Sequence, residues 1–95
     1  KSKNSVVQVY IIPIKTLPNC IKLASELRGK GINVDLDFSG RSITKNLDYC
    51  NSLKIPYAAI LGENELKKDR INLRNMNTGE EKLIKAEEIV KEVRK

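Results

Sequence analysis

The chain has 95 residues, of which 18 are Lys or Arg and 12 are Asp or Glu, so its formal net charge is +6 and its pI is about 9.5. This length fits one compact domain that spans residues 1–95. The basic charge favours an anionic partner, and lysines that only keep a small domain soluble are the alternative. Histidine is absent, which argues against most hydrolase and zinc-enzyme functions, because the commonest general base and metal ligand is missing.

An almost continuous apolar run at 6–14 predicts a central strand that is covered on both faces. Pro18 opens a helix whose apolar residues recur at three- and four-residue spacing, and Gly31 ends it. Cys20 and Cys50 fall on the apolar sides of predicted helices, where a free thiol acts as a small hydrophobic group, so we expect no disulfide. The apolar run is far shorter than the ~20 residues of a membrane span. We therefore expect a soluble, cytoplasmic protein with no membrane partner.

Strict alternation of apolar and polar residues over 31–38 predicts a half-buried strand, with Phe38 on its buried face and Asp37 on its exposed face. A turn at 39–41 follows, and helical spacing of apolar residues then continues from Ser42 to about Lys54. The first N–H groups of such a helix have no intrahelical partner. In α/β folds, this junction between strand and helix is a usual place for a ligand.

The rest of the chain predicts a short strand at 57–61, a polar break at 62–68, a strand around Ile71, a strand at 82–84 and a helix at 86–95. Crossovers between the first three strands should be right-handed and the strands parallel. The predicted fold class is α/β: a three-layer α/β/α domain with a mixed five-stranded sheet and three helices.

The loops that follow the three parallel strands should meet at one edge of the sheet, and they are 13–15, 39–41 and 62–64. Arg41, Lys45 and Asp48 have i, i+4 and i+7 spacing, so they share one face of the second helix beside this edge. A guanidinium and an ammonium there favour an anionic ligand. The alternative is a solvated helix face with an ion pair between Arg41 and Asp48.

Asp35 and Asp37 are two apart on one strand face, with no third ligand near them in the sequence, so a metal site is not expected. We expect Asp37 to accept hydrogen bonds from the following turn or from amino groups of a ligand, and Glu63 to do the same or simply to begin a polar turn. Arg70 and Arg74 lie four apart in the fourth predicted strand, where they either extend a basic surface or protect a sheet edge.

Motifs for catalysis are missing from the sequence. Neither a phosphate-binding glycine loop nor a nucleophile paired with a base is present. We therefore expect no catalytic residue, no metal and no cofactor in this domain.

Three segments carry a family resemblance: DLDFSGRSITKNL at 35–47, PYAAILGE at 56–63 and RNMNTGE at 74–80. They resemble the C-terminal anticodon-binding domain of class II aminoacyl-tRNA synthetases, most closely that of histidyl-tRNA synthetase. The resemblance covers nearly the whole chain. It implies a five-stranded, three-layer domain that binds the anticodon loop of a tRNA, and single-stranded loops are where proteins reach base edges.

The resemblance also implies that the chain is a C-terminal part of a longer, ATP-dependent and homodimeric ligase, with histidine tRNA as the partner and with catalysis in another domain. The tRNA-binding residues that it implies are Lys15, Asp37, Ser39, Arg41, Lys45, Tyr49, Glu63 and Arg74. The alternative is a protein-interaction or dimerisation module of the same fold in a regulatory protein.

Overall fold

Strands and helices alternate through the computed structural model, which describes residues 7–94. In chain order, its elements are β1 (Val9–Pro13), α1 (Leu17–Gly29), β2 (Val34–Leu36), α2 (Ile43–Leu53), β3 (Tyr57–Leu61), α3 (Glu63–Lys68), β4 (Ile71–Asn75), β5 (Glu81–Ile84) and α4 (Ala86–Val93). Val6 in the first predicted strand and Lys95 in the last predicted helix lie outside the described residues.

Over residues 7–94, the sheet has five strands in the order β2-β1-β3-β4-β5. β1 is parallel to both β2 and β3, whereas β4 is antiparallel to β3 and β5 is antiparallel to β4. All five residues of β1 are buried, as its continuous apolar run indicated. The predicted mixed five-stranded sheet is therefore confirmed, with β1 flanked on both sides.

Helices cover the two faces of the sheet unequally. α1 and α4 pack on one face, where Ile11, Leu27 and Ile89 are fully or almost fully buried. α2 packs on the other face, over Tyr10 and Ile12 of β1. The three layers are thus confirmed, and each face has its own apolar core.

The face under α2 is only partly covered. α2 contacts β1 and β3, and the part of this face on β4 and β5 carries Asn72, Arg74, Glu81 and Leu83, which are cross-strand neighbours. Leu83 is 45% exposed. We call this part of the face the open sheet surface.

Local signals explain the helix ends that the sequence predicted. Pro18 lies in the first turn of α1, and Gly31 just beyond its end has a φ of 86°, which favours glycine. Ser42 caps α2, because its Oγ accepts a hydrogen bond from the backbone N–H of Lys45 at 3.2 Å.

The described part of the chain has a fourth helix, α3, where the sequence predicted only a polar break. The backbone N–H of Gly62 donates to Oε1 of Glu65 at 2.7 Å, and Lys67 and Lys68 at the other end complement the helix dipole. The prediction of three helices was therefore wrong. It missed α3, which has no buried residue. This helix therefore leaves no apolar periodicity to recognise.

The predicted strand at 31–38 is also shorter than expected, since β2 ends at Leu36. Asp37 is 3% exposed and Phe38 is 67% exposed, the reverse of what the alternating pattern predicts. The reversal has a physical cause: Asp37 turns inward because several protein groups donate hydrogen bonds to its carboxylate. Arg70 lies just before β4, and its guanidinium donates to the backbone oxygens of Lys68 and Asp69.

Both cysteines are free and buried, as expected. Burial raises the pKa of the Cys50 thiol to about 11, and it also raises the pKa of Cys20. Over residues 7–94, no helix combines the length and the apolar character that crossing a membrane requires.

Candidate functional site

The three loops that follow the parallel strands meet at one edge of the sheet, as the sequence predicted. The backbone N–H of Asp37 donates to the carbonyl oxygen of Ile11 at 3.1 Å, and that of Ile14 donates to the carbonyl oxygen of Leu61 at 3.0 Å. The buried hydroxyl of Thr16 donates to the same Leu61 oxygen at 2.6 Å. Hydrogen bonds across β1 and β3 therefore hold the loops in place.

Asp37 organises the turn that leads into α2. One carboxylate oxygen, Oδ1, accepts from the backbone N–H and the hydroxyl of Ser39 at 2.8 and 2.6 Å. The other, Oδ2, accepts from the backbone N–H of Arg41 at 3.0 Å and from Nδ2 of Asn46 at 2.9 Å. Asp37 thus binds the following turn, which was one of the two roles that the sequence allowed.

The hydrogen bonds at Asp37 change its acidity. Burial on its own raises the pKa of this carboxyl, but the hydrogen bonds from Ser39, Asn46 and the backbone of Arg41 outweigh burial and lower the pKa to about 2. The group is therefore an anion at neutral pH, and its charge fixes the conformation of the turn.

Asn46 is a site residue that sequence analysis missed. It is fully buried on α2, and its Nδ2 also donates to the backbone oxygens of Arg41 and Ser42, at 3.3 and 3.1 Å. Its orientation follows from these acceptors, since the opposite amide orientation would place its oxygen against the Asp37 carboxylate. No sequence signal singles out this asparagine from others on a helix.

Arg41 is exposed and held from two sides. Its Nε donates to the hydroxyl of Ser39 at 3.1 Å, and its guanidinium lies over the half-buried ring of Tyr49, 5.2 Å from the ring centroid. The Tyr49 ring in turn packs on Tyr10, with 5.2 Å between centroids. Arg41 is therefore an exposed residue whose guanidinium is held by two contacts within the domain.

The predicted alternative, an ion pair between Arg41 and Asp48, does not form. Neither residue has an ion pair within residues 7–94. Lys45 and Lys15 are exposed and lack an ion pair in the same part of the chain. Three cations near one edge are therefore available to an anionic ligand.

Two grooves open at this edge. The first, which we call the Phe38 groove, has a volume of about 440 Å³, and its lining includes Pro13, Ile14, Lys15, Phe38, Gly40 and Arg41. The second, the acidic groove, has a volume of about 520 Å³, and its lining includes Lys15, Glu63, Glu65, Asn72 and Glu81. Lys15 borders both grooves, and its φ of 61° is unusual for a residue other than glycine.

Arg74 lies away from this edge. It is opposite Ala58, near the start of β3, and its guanidinium forms an ion pair with Glu81 at 2.8 Å. Nδ2 of Asn72 also donates to Glu81 at 3.0 Å, and hydrogen bonds from Asn72 and Arg74 lower the pKa of the Glu81 carboxyl. The structure thus places Arg74 on the open sheet surface and not with Arg41.

A hollow of about 620 Å³ lies elsewhere, between α1 and the start of α4. Three carboxylates, Glu26, Asp69 and Glu87, and two ammonium groups, Lys30 and Lys85, line it, so it presents charges of both signs. It contains no residue of the three edge loops. Within residues 7–94, no three His, Cys, Asp or Glu side chains are grouped closely enough to hold a metal ion.

Comparison with known proteins identifies the family. A sequence profile described as "Anticodon binding domain" matches residues 8–95. The chain belongs to this family. It is 36% identical over 86 residues to a histidine–tRNA ligase of Methanococcus maripaludis, an alignment that covers 86% of the chain and 21% of that ligase. The domain therefore spans about a fifth of the length of this relative.

Solved structures agree with the family assignment. The domain is similar to part of histidyl-tRNA synthetase from Nostoc, with a TM-score of 0.89 at 22% identity over 95% of the domain and 22% of that chain, which supports the fold alone. It also resembles the RNA binding domain of threonyl-tRNA synthetase from Cryptosporidium parvum, with a TM-score of 0.86 at 25% identity over 95% of the domain and 23% of that chain.

Proposed function

We propose that this domain binds the anticodon loop of histidine tRNA as part of a histidine–tRNA ligase. Membership of the anticodon binding domain family and similarity to a protein named as such a ligase support the proposal. So does similarity to a domain described as RNA-binding in threonyl-tRNA synthetase. In this proposal, ATP-dependent attachment of histidine takes place in another domain of a longer, homodimeric, cytoplasmic protein.

The observation that carries the proposal is the pair of exposed cations, Lys15 and Arg41, at the edge where β1 and β2 end. Phosphates supply most of the affinity in RNA binding, and base edges supply the specificity. Unpaired anticodon nucleotides expose both to a protein surface. Arg41 suits a bidentate contact to a base edge or a phosphate, because it is exposed and has no ion pair within residues 7–94.

We assign roles to the predicted residues by their environment. Lys15 and Lys45 supply positive charge for phosphates, and Glu63 at the acidic groove accepts from amino groups of a base. Ser39 and Tyr49 support the Arg41 guanidinium.

Two further residues act at a distance from this contact. Asp37 holds the turn and does not itself touch the RNA, because its oxygens already accept hydrogen bonds from the protein. Arg74 extends the RNA-binding face onto the open sheet surface.

The proposal is tested by titrating the domain with a fluorescent hairpin that carries the histidine anticodon loop, and with the same hairpin carrying a scrambled loop. We expect tighter binding of the first hairpin. Its affinity should fall as salt rises, with a log–log slope of about −0.7 per phosphate contacted. Equal affinity for both hairpins, or no binding at low salt, would contradict the proposal.

A matched pair of variants distinguishes the loss of a contact at the site from the loss of one positive charge. Arg41→Ala should weaken binding of the cognate hairpin by about 1–3 kcal/mol, whereas Lys91→Ala, an exposed cation on α4, removes the same charge from the opposite side of the sheet. Lys91→Ala should leave the affinity nearly unchanged. If both variants lose affinity equally, binding is non-specific. Sedimentation that detects a dimer indifferent to RNA would favour the interaction module instead.

A further inference from the structure

The ring of Phe38 is the most exposed large apolar side chain that the structure describes, at 67%. It lines the Phe38 groove directly beside the edge of the sheet. A single exposed apolar residue is common on protein surfaces. An exposed aromatic ring that lines a groove beside two cations suggests a binding role.

The position of Phe38 is imposed by its neighbour. Asp37 is drawn inward by the hydrogen bonds from Ser39, Arg41 and Asn46, and Phe38, the next residue, lies beyond the end of β2 with its ring exposed. Phe38 is therefore held outside by the same network that holds the turn.

The charges around the ring have one sign. Lys15 and Arg41 are the exposed charged residues of the groove, whereas its one carboxylate, Asp37, is buried and already accepts hydrogen bonds from the protein. An aromatic face with cations beside it is complementary to a nucleotide, whose base stacks and whose phosphate is negative. A neutral or basic protein segment would gain nothing from these cations.

We propose that the Phe38 groove receives one unpaired nucleobase, which stacks on the Phe38 ring while its flanking phosphates lie near Lys15 and Arg41. This inference rests on the proposed function and adds a contact that the sequence did not indicate. The volume of about 440 Å³ lies within the range of ordinary small-ligand pockets. Stacking of one base on Phe38 would add a second contact with the RNA to the one that Arg41 makes.

The test uses the anticodon hairpin with 2-aminopurine in each loop position in turn, because stacking quenches the fluorescence of this base. With the unmodified domain, we expect strong quenching at one position. Phe38→Tyr should retain the quenching, and Phe38→Ala should abolish it and weaken affinity about 5- to 150-fold. Phe38→Leu keeps an apolar side chain without a π face and should also abolish the quenching.

Ile21→Ala is the matched control, because Ile21 is 47% exposed on α1 and lines neither groove. It should not change quenching or affinity. Since Phe38 is exposed, its variants should keep the urea midpoint of the parent, so lost binding is not lost folding.

The outcomes separate this inference from the function on which it rests. If Arg41→Ala weakens binding and Phe38→Ala does not, the domain binds RNA and the stacking site is wrong. If the unmodified domain binds no hairpin, both proposals fail. If Phe38→Ala leaves RNA affinity unchanged and converts a dimer to a monomer in sedimentation, the groove is a protein contact and the stacking site is likewise overturned.

Discussion

Cζ of Arg41 lies 5.2 Å from the centroid of the Tyr49 ring. The Tyr49 ring packs at a tilt on Tyr10 of the buried strand β1, so three side chains in contact join the core to the exposed cation. A guanidinium held on an aromatic face loses less rotamer freedom when a ligand binds than one that is free in solvent. Contact with the Tyr49 ring therefore orients Arg41.

Replacing Tyr49 tests this contact. Tyr49→Phe keeps the ring under the guanidinium and should change affinity for the anticodon hairpin less than twofold. Tyr49→Leu keeps apolar packing on Tyr10 but removes the π face, and we expect an affinity loss of roughly 0.5–1 kcal/mol, the usual value of an exposed cation–π contact. Fluorescence anisotropy measures both. Equal affinities for the Phe and Leu variants would contradict a role for the ring face.

The buried carboxylate of Asp37 is expected to stabilise the fold. Asp37→Asn removes the charged acceptor of hydrogen bonds from Ser39, Arg41 and Asn46, and should lower the free energy of unfolding by about 2 kcal/mol. Urea denaturation at pH 7 measures the loss. Asp48→Asn is the control, because Asp48 is exposed on α2 and should change stability by less than about 0.5 kcal/mol.

Acid should act through the same carboxyl. The pKa of Asp37 is about 2 in the folded domain, below the value of about 3.9 in an unfolded chain. Its contribution of roughly 2 kcal/mol is thus complete above about pH 5 and is lost as the pH falls through 4 toward 2. We expect the stability of Asp37→Asn, measured by urea denaturation over this range, to decline less steeply than that of the parent. Parallel declines would show that other carboxyls dominate.

Two glycines with similar surroundings should respond in opposite directions to alanine. An added Cβ meets nothing within 4 Å at Gly40 or at Gly29, but Gly40 has a φ of 75°. Gly40→Ala should therefore lower the free energy of unfolding by about 1 kcal/mol. Gly29 ends α1 in an ordinary helical conformation, so Gly29→Ala should be neutral or stabilise by up to about 0.5 kcal/mol. Thermal melts compare the two, and a loss at Gly29 equal to that at Gly40 would contradict the conformational explanation.

The sequence allowed most of the fold to be predicted, because apolar periodicity reports burial: β1 and β3 are almost wholly buried, and α1 and α2 each turn part of their predicted apolar side, including Cys20 and Cys50, into the core. α3 escaped prediction because it buries no residue and is stabilised by its cap and its charges. The meeting of the edge loops was also predictable, since parallel strands end on the same side.

The details of the site were not predictable from spacing. Asp37 is buried and Phe38 is exposed because hydrogen bonds to one carboxylate outweigh the burial of one ring, and apolar periodicity does not reveal such a competition. Asn46 supplies one of these bonds from the next helix, nine residues further along. The sequence suggested that Arg74 could extend the basic surface near Arg41. Because β4 is antiparallel to β3, Arg74 instead lies opposite Ala58, near the start of β3.

The hydrogen bonds from Asp37, Ile14 and Thr16 all end on carbonyl oxygens of β1 and β3. The chain is therefore tied directly to the sheet at these three positions, just after β1 and β2. An incoming ligand has little disorder to remove, which lowers the entropic penalty of association. We therefore expect the RNA to bind without a large change in these loops, so that most of any conformational change occurs in the RNA loop.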